Sequence, residues 1–171
     1  MRTLLLCAWL AVTLAAQTPG PPTAQLAAMK KLAFLAGEWT GGGWIEMGPG
    51  GRSEFTSHEN VQAKLGGLLL LVEGTHQREG ATVHDALAVV SFDEKSRTYR
   101  FRAHTAAGQY TDADARLAED GALEWSFNTP MGRIRYTIRG ADKGEWREIG
   151  EFSRDGGEWR KFFEMNLKRV R

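Results

Sequence analysis

The stretch "GEWTGGGW", Gly37 to Trp44, decides how the rest of the chain is interpreted. Two tryptophans flank a run of three glycines, directly after a segment with helical spacing. Trp39 and Trp44 are an odd number of positions apart, so a regular strand would turn them to opposite faces. The glycines also permit a bulge or a sharp coil that would change this parity. We expect a bent first strand of a β-barrel, with Trp39 closing the floor and Trp44 higher, near the cavity or outside it.

The chain after Gly37 has the pattern of many short strands, rich in aromatic and β-branched residues and separated by turn signals. The turn signals lie at residues 47–51, 64–67, 78–81, 93–97, 106–108, 119–122, 128–132, 140–144 and 154–158. Nine short turns predict ten strands in an antiparallel meander. Such a sheet would expose two edges unless it closes. The sequence therefore predicts an all-β fold, a ten-stranded antiparallel up-and-down barrel with a short N-terminal helix.

The chain begins with the pattern of a secretory signal peptide, which we assign to residues 1–16. Arg2 gives a positive start, and "LLLCAWLAVTLAA" is an apolar run of suitable length, followed by small residues that allow cleavage near Ala15 or Ala16. The run is too short for a transmembrane helix, so we predict no stable membrane anchor. Cys7, inside this run, is the only cysteine. The mature protein would therefore have neither disulfides nor catalytic thiols, and we expect it to be periplasmic or secreted.

A linker and one short helix are predicted between the signal peptide and the strands. Residues 17–25 hold three of the five prolines and form the linker. Thr23 can cap a helix over about residues 24–35, where apolar residues recur at helical spacing and which Gly37 can stop. We place the barrel domain, including most of this helix, at residues 26–171.

Composition and charge indicate one globular domain and argue against a nucleic-acid partner. The 171 residues are 42% hydrophobic, which fits one globular domain with a sizeable core. The 22 basic and 21 acidic residues give a net charge of +1. We expect no nucleic-acid partner, because nucleic-acid binding needs a clustered excess of lysine and arginine.

One predicted strand is apolar on both faces. Every residue from Leu68 to Val72 is Leu or Val, with no polar alternation. The outer face of such a strand must be covered, either by the N-terminal helix or by a second subunit. A homodimer through Leu68–Val72 is one assembly that this pattern allows.

The segment "FLAGEWTGGG" resembles the first-strand G-x-W signature of the lipocalin-like superfamily, with Gly37 and Trp39 as its Gly and Trp. The preceding helix, the "MGPGG" turn and "ALAVVSFDEKSRTYRFR" are similar to exported bacterial lipocalin-like barrels of a domain-of-unknown-function family. Those barrels are similar in architecture to nitrobindin, a ten-stranded haem barrel. The resemblance covers roughly residues 29–170. It implies a cavity, and a basic residue of the last strand, Lys168 or Arg169, packed on Trp39; it implies no reaction.

The histidines do not have the spacing of a metal site. His58, His76, His84 and His104 form no H-x-H or HExxH motif, and no CxxC motif is present. We interpret them as surface or hydrogen-bonded residues, and we predict no metal site and no cofactor. The nitrobindin-like haem barrel implies an axial histidine near the C-terminus. No histidine follows His104, so we do not expect haem binding.

Arginines alternate with apolar residues on two predicted strands, as expected for strands with one wet face. They are Arg100, Arg102, Arg133, Arg135 and Arg139. We expect them to point outward and to pair with acidic residues of neighbouring strands. The alternative is that one turns inward and binds a ligand carboxylate with its bidentate guanidinium.

Acidic residues are interpreted in the same way. Asp112 and Asp114 share one face of a strand with Arg116, and paired carboxylates can do acid–base chemistry or hold a cation. Alternating charge on a strand is more often a solvated exterior, which is the interpretation we adopt. Four glutamates are also assigned to the rim or exterior: Glu38, Glu46, Glu54 and Glu59. No catalytic residue is predicted.

Aromatic side chains are the candidates for the lining of the barrel. The predicted ligand-binding residues are Trp44, Tyr99, Phe101, Trp125, Phe127, Tyr136, Trp146 and Phe163. Ten strands enclose more volume than eight, which already suffice for one small ligand. We therefore expect an open apolar cavity rather than a filled core.

These patterns predict non-catalytic binding of a small apolar or amphipathic ligand inside the barrel. Two alternatives stay open. One is an enzyme that acts on such a molecule in the same cavity, and the other is a structural or interaction protein whose barrel is filled. An inward, buried polar cluster would favour the enzyme, and a dry, filled barrel would favour the interaction protein.

Overall fold

The computed structural model describes residues 22–141 and 144–170. The predicted signal peptide, residues 1–16, and most of the predicted linker, residues 17–25, lie outside this part of the chain. No helix within the described residues is both long enough and apolar enough to cross a membrane.

The described chain folds into a short helix, a 3₁₀ turn and ten strands. The helix is α1, Thr23–Lys30, and the 3₁₀ turn is Ala33–Leu35. The strands are β1 (Gly37–Glu46), β2 (Arg52–Lys64), β3 (Leu69–Arg78), β4 (Ala81–Asp93), β5 (Thr98–Thr105), β6 (Tyr110–Leu117), β7 (Leu123–Thr129), β8 (Gly132–Ala141), β9 (Glu145–Ser153) and β10 (Trp159–Arg169).

The ten strands form one closed antiparallel barrel. Each strand pairs with its neighbours in the chain, and β1 pairs with β10 to close the sheet. The closing register runs without a shift from Trp39, opposite Arg169, to Ile45, opposite Phe163. The predicted fold class is therefore confirmed, and every predicted turn falls between two strands. Closure gives every strand two neighbours, but β6 and β7 pair only from Asp114–Leu117 to Leu123–Ser126, so their mouth-side halves are not paired with each other.

The helix is shorter than predicted and begins one residue earlier. It starts at Thr23, and the capping position is Pro22, whose carbonyl accepts the Leu26 N–H. Thr23 therefore lies inside the first turn and caps nothing. The helix ends at Lys30, and the chain then tightens into the 3₁₀ turn that ends at Leu35. Met29, Leu32 and Leu35 are buried, so this segment forms the closed end of the barrel.

Trp39 closes the floor of the barrel, as predicted. Its side chain is 1% exposed, and its indole N–H donates to the Leu35 carbonyl at 2.8 Å. The Trp146 ring meets it edge-on, with 5.6 Å between centroids. The first strand, the ninth strand and the helical segment therefore converge on one indole.

The basic residue that packs on Trp39 is Arg169, not Lys168. The Arg169 guanidinium carbon lies 4.1 Å from the Trp39 ring centroid. The same guanidinium donates to the Phe34 carbonyl at 2.8 Å and to the Ala36 carbonyl. Arg169 thus holds the end of the last strand to the turn that precedes the first strand.

The glycine run forms a regular strand rather than a bulge. The register of β1 against both neighbours has no shift, so Trp39 and Trp44 point to opposite faces. Trp44 lies on the outer face, where the Arg52 guanidinium carbon is 3.6 Å from its ring centroid. We expected Trp44 either near the cavity or outside the barrel, and the structure places it outside.

The glycines serve close approach between β1 and β10. A Cβ on Gly41 would lie against the Asn166 carbonyl oxygen, and one on Gly43 against the Glu164 carbonyl oxygen. Because backbone atoms cannot move aside as a side-chain end can, a side chain at either position would disturb the closing strand pair.

The apolar stretch Leu68 to Val72 divides between the two faces of β3. Leu70 is 3% exposed in the core, and Val72 lines the interior. Leu69 and Leu71 lie on the outer face and are half-buried. Helix α1 contacts β4 and the turn before β3 at the closed end of the barrel.

We predict that Trp39→Ala lowers the free energy of unfolding by about 3–5 kcal/mol, because it removes a fully buried large aromatic from the floor. Trp44→Ala, on the outer face of the same strand, should cost about 1 kcal/mol or less, since its partly buried ring loses surface cation–π contacts with Arg52 and Lys161. Urea unfolding of both variants measures the difference. Equal losses would contradict the assignment of Trp39 as the floor.

Candidate functional site: an acid-ended cavity inside the barrel

The barrel encloses a cavity of about 440 Å³. Leu35 and Trp146 line it at the end closed by the helix. Met47, Arg78 and Gln109 line it at the opposite end, beside the turns that join β1 to β2, β3 to β4 and β5 to β6. A volume in this range accommodates a small organic molecule.

Six of the eight predicted ligand-binding residues line this cavity: Phe101, Trp125, Phe127, Tyr136, Trp146 and Phe163. The other two lie elsewhere. Trp44 is on the outer face, beneath Arg52. Tyr99 is buried beside the helix, where its hydroxyl donates to the Ala28 carbonyl at 2.8 Å. Tyr99 therefore fixes the helix to the barrel and does not reach the cavity.

The rings form a continuous arc along the cavity wall. Trp125 is stacked between Phe101 and Tyr136, with centroid distances of 4.2 Å and 4.3 Å. Tyr136 meets Phe163 edge-on at 5.6 Å, and Phe163 stacks on Phe55 at 5.7 Å. Both faces of the Trp125 ring are covered, so only its edge, which carries the N–H, can face a polar group. The arc supplies a rigid apolar wall.

Glu59 lies inside the barrel, which corrects its assignment to the exterior. Its side chain is buried, and the Ser57 hydroxyl donates to Glu59 Oε1 at 3.0 Å. Gly74 is directly opposite on β3, and any Cβ there would collide with the Glu59 carboxylate. The missing side chain at Gly74 is what makes room for this carboxylate.

Two histidines lie next to Glu59 on the side of the cavity mouth. His76 Nε2 lies 3.5 Å from Glu59 Oε1, and the His76 ring stacks on Phe55 at 4.4 Å. The His84 ring centroid is 5.0 Å from that of His76. Partial desolvation at the cavity wall and the neighbouring His76 lower the pKa of His84, so His84 is neutral near pH 7. His58 and His104 are exposed, as expected of surface residues.

Glu148 is a second inward carboxyl, and the sequence interpretation missed it. Burial, followed by the charge on Glu59, raises the pKa of Glu148 from 4.5 to about 8. The indole N–H groups of Trp125 and Trp146 approach the carboxyl and lower its pKa by a smaller amount. Neither makes a hydrogen bond of good geometry. Burial and Glu148 also raise the pKa of Tyr136, which keeps its phenol protonated.

A period-two pattern could have located both acids. Glu59 shares a strand face with Phe55 and Val61, and all three are buried. Glu148 shares a face with Trp146, which had been assigned to the interior. Alternation along a strand thus places a carboxyl on each inner face. The assumption that a strand glutamate is solvated overrode this pattern.

The arginine rows point outward, as expected. Arg100 pairs with Asp112 at 2.5 Å and also with Asp114, and Arg135 pairs with Glu151 at 2.7 Å. Arg139 pairs with Asp120 at 2.8 Å. None of the five predicted arginines lines the cavity. The alternative in which one of them turns inward is therefore excluded.

Within residues 22–141 and 144–170, no three His, Cys, Asp or Glu side chains converge as a metal site would require. Glu59, His76 and His84 form a chain of one carboxylate–imidazole contact and one ring–ring contact. The polar groups near the closed end of the cavity wall are carboxyl, imidazole, phenol and indole groups.

Comparisons with known proteins give a family and a fold. A model of the family described as "Protein of unknown function (DUF1579)" matches residues 25–169. No curated protein matches the chain. The crystal structure of Rv2717c from M. tuberculosis is similar, with a TM-score of 0.62 and 13% identity over 84% of this chain and 98% of that chain. Identity at this level shows a shared fold alone.

We predict that Glu148→Gln changes how stability depends on pH. Because the folded protein holds the Glu148 proton up to about pH 8 while the unfolded chain loses it near 4.5, unfolding releases a proton between these values. The free energy of unfolding of the parent protein should fall through this window by up to about 1.4 kcal/mol per pH unit. Glutamine carries no such proton, so urea unfolding from pH 5 to 8 should increasingly favour the variant.

Glu164→Gln is the matched control. Glu164 lies outside the cavity, and its hydrogen bond from Lys161 lowers its pKa. Above about pH 5 its variant should differ from the parent protein by a constant amount. Parallel stability curves for Glu148→Gln would contradict a buried, protonated Glu148.

Proposed function

Because the chain belongs to the DUF1579 family of proteins of unknown function, we propose its role from the cavity itself: the barrel binds a small amphipathic molecule without transforming it. The supporting observation is the division of the cavity wall. Aromatic and aliphatic side chains cover most of it, and polar groups are gathered around Glu59 and Glu148. A pocket of this kind binds an apolar body by burial and orients it through a few polar contacts.

The filled-barrel alternative is weakened by the cavity volume. An interaction protein with a filled core would need side chains in the space of about 440 Å³ that the barrel encloses. Ala86, Ala88 and Ala103 line this space and leave it open on the side of β4 and β5. Small residues facing large aromatics across the cavity are consistent with room for a guest molecule.

Acid–base catalysis in the same cavity is the second candidate. The inward, buried polar cluster that would favour an enzyme is present: Glu148, which stays protonated near neutral pH, lies close enough to Glu59 for their charges to interact. Such a pair can donate a proton from one member and accept a proton at the other. Recovery of a bound compound unchanged after long incubation would favour binding. Its conversion by the parent protein, lost in Glu148→Gln, would favour catalysis.

Export is part of the proposal. The predicted signal peptide at residues 1–16 would deliver a mature barrel without cysteine to the periplasm or the medium. A binding barrel in that location would meet small molecules from outside the cell before they reach the inner membrane.

We predict that Ala86→Trp blocks the cavity. N-Phenyl-1-naphthylamine, a neutral dye whose fluorescence rises in apolar surroundings, should bind the parent protein and be at least about tenfold weaker on the variant, a loss of roughly 1.4 kcal/mol. Ala86 lines the cavity, so an indole at this position would occupy the space of the dye. A fluorescence titration measures both affinities.

Leu87→Trp is the matched control, since Leu87 is the next residue of β4 and is 40% exposed on the outer face. It should leave dye binding unchanged. Equal binding by the parent protein and both variants would mean that the dye lies outside the cavity, and the proposed function would then be rejected.

A further inference from the structure

The closed end of the cavity holds two carboxyl groups, and no lysine or arginine among the described residues lies beside them. Glu59 is paired in register with Trp39 of the floor, and Glu148 lies two residues from Trp146 of the floor. Among the described lining residues, Arg78 is the one lysine or arginine. It lies at the mouth, where its Nε donates to the Glu54 carbonyl at 3.4 Å. No permanent cation of the described chain therefore neutralises the two carboxyl groups.

The groups that face this acid pair come from three other strands. They are His76 on β3, His84 on β4 and Tyr136 on β8. His84 and Tyr136 are neutral near pH 7 for the reasons given above. His76 can offset the charge of Glu59 only when its imidazole is protonated.

Three hydrogen-bond donors lie beside the pair. Ser57 donates its hydroxyl to Glu59 at 3.0 Å. The Nε1 atoms of Trp125 and Trp146 approach Glu148, are buried, and have no hydrogen-bond partner. Trp146 is 3% exposed, so its N–H cannot be satisfied by bulk water. An ionised Glu148 would give both indole donors an acceptor.

We propose that the natural ligand carries an organic ammonium head group that pairs with Glu59 and Glu148, and an apolar body that packs along the aromatic arc. This inference rests on the proposed binding function and names its ligand class. An ammonium offers donors to both carboxylates, and its charge replaces the repulsion between them with two attractions. Glu148 then gives up its proton to solvent, and the indole N–H groups donate to the carboxylate that forms.

Other head groups fit the closed end less well. A carboxylate would face Glu59 with no lysine or arginine beside it among the described residues, and the like charges would repel. A hydroxyl could donate to one carboxyl but would leave the charge of the pair uncompensated. The charge distribution therefore favours cation over alcohol, and alcohol over anion.

The test compares three compounds with one body and different heads: 2-(1-naphthyl)ethylammonium, 2-(1-naphthyl)ethanol and 1-naphthylacetate. Isothermal titration calorimetry near pH 8 keeps the amine protonated. We expect the ammonium to bind about tenfold or more tightly than the alcohol, and the carboxylate most weakly. Repeating the ammonium titration in buffers of different ionisation enthalpy should reveal net proton release, without the use of any variant.

Three glutamine variants locate the head group. Glu59→Gln and Glu148→Gln should each reduce the preference for ammonium over alcohol to within about threefold, and Glu148→Gln should also abolish proton release. Glu54→Gln is the control, because Glu54 is an exposed glutamate on the same strand as Glu59. It should keep the full preference.

The outcomes separate the inference from the function on which it rests. If the alcohol or the carboxylate binds as tightly as the ammonium, and Ala86→Trp blocks that binding, the cavity binds ligands but the ammonium class is wrong. If the preference for ammonium persists in both Glu59→Gln and Glu148→Gln, the head group lies elsewhere and the inference is also wrong. If none of the three binds the parent protein more tightly than it binds Ala86→Trp, the binding function itself is rejected.

Discussion

The pairing of β1 with β10 is the constraint on which the rest of the structure depends. Once these strands are joined, each strand has one face inside the barrel and one outside. Arg169 secures the joint, because its guanidinium packs on Trp39 and donates to two carbonyls of the turn before β1. The glycines of β1 allow the backbones of the two strands to come close. The cavity is therefore closed to solvent at the end where Trp39 lies.

The closed end of the barrel determines the electrostatics of Glu59 and Glu148. A carboxyl group near bulk water keeps its ordinary pKa, but burial and the charge on Glu59 raise the pKa of Glu148 to about 8. A buried acid pair without a permanent counter-cation destabilises the folded state. A ligand that binds the folded state stabilises it. The aromatic arc above the pair offers the apolar surface that such a ligand would need. Fold, electrostatics and proposed function are therefore linked through the closed end.

Much of the fold was predictable because its signals are local. Turn residues fixed the strand count, and the Gly37–Trp39 pair fixed the floor. The site was harder, because a glutamate on a strand is usually solvated. Whether Glu59 can lie inside depends on the residue opposite it, and that residue, Gly74, is known only from the strand register. Trp44 shows the converse case, since the regular register of β1 settles which face the ring occupies.

The most direct test is a carbon-13 NMR titration of the Glu148 carboxyl, assigned by comparison with Glu148→Gln, first alone and then with saturating 2-(1-naphthyl)ethylammonium. Without ligand, the resonance should titrate with a midpoint near pH 8. With ligand, the midpoint should move down by at least about one unit, because a cation beside the carboxyl favours its ionised form. A midpoint near 4.5 in both samples would show a solvated carboxyl. That result would contradict an acid pair sealed inside the barrel.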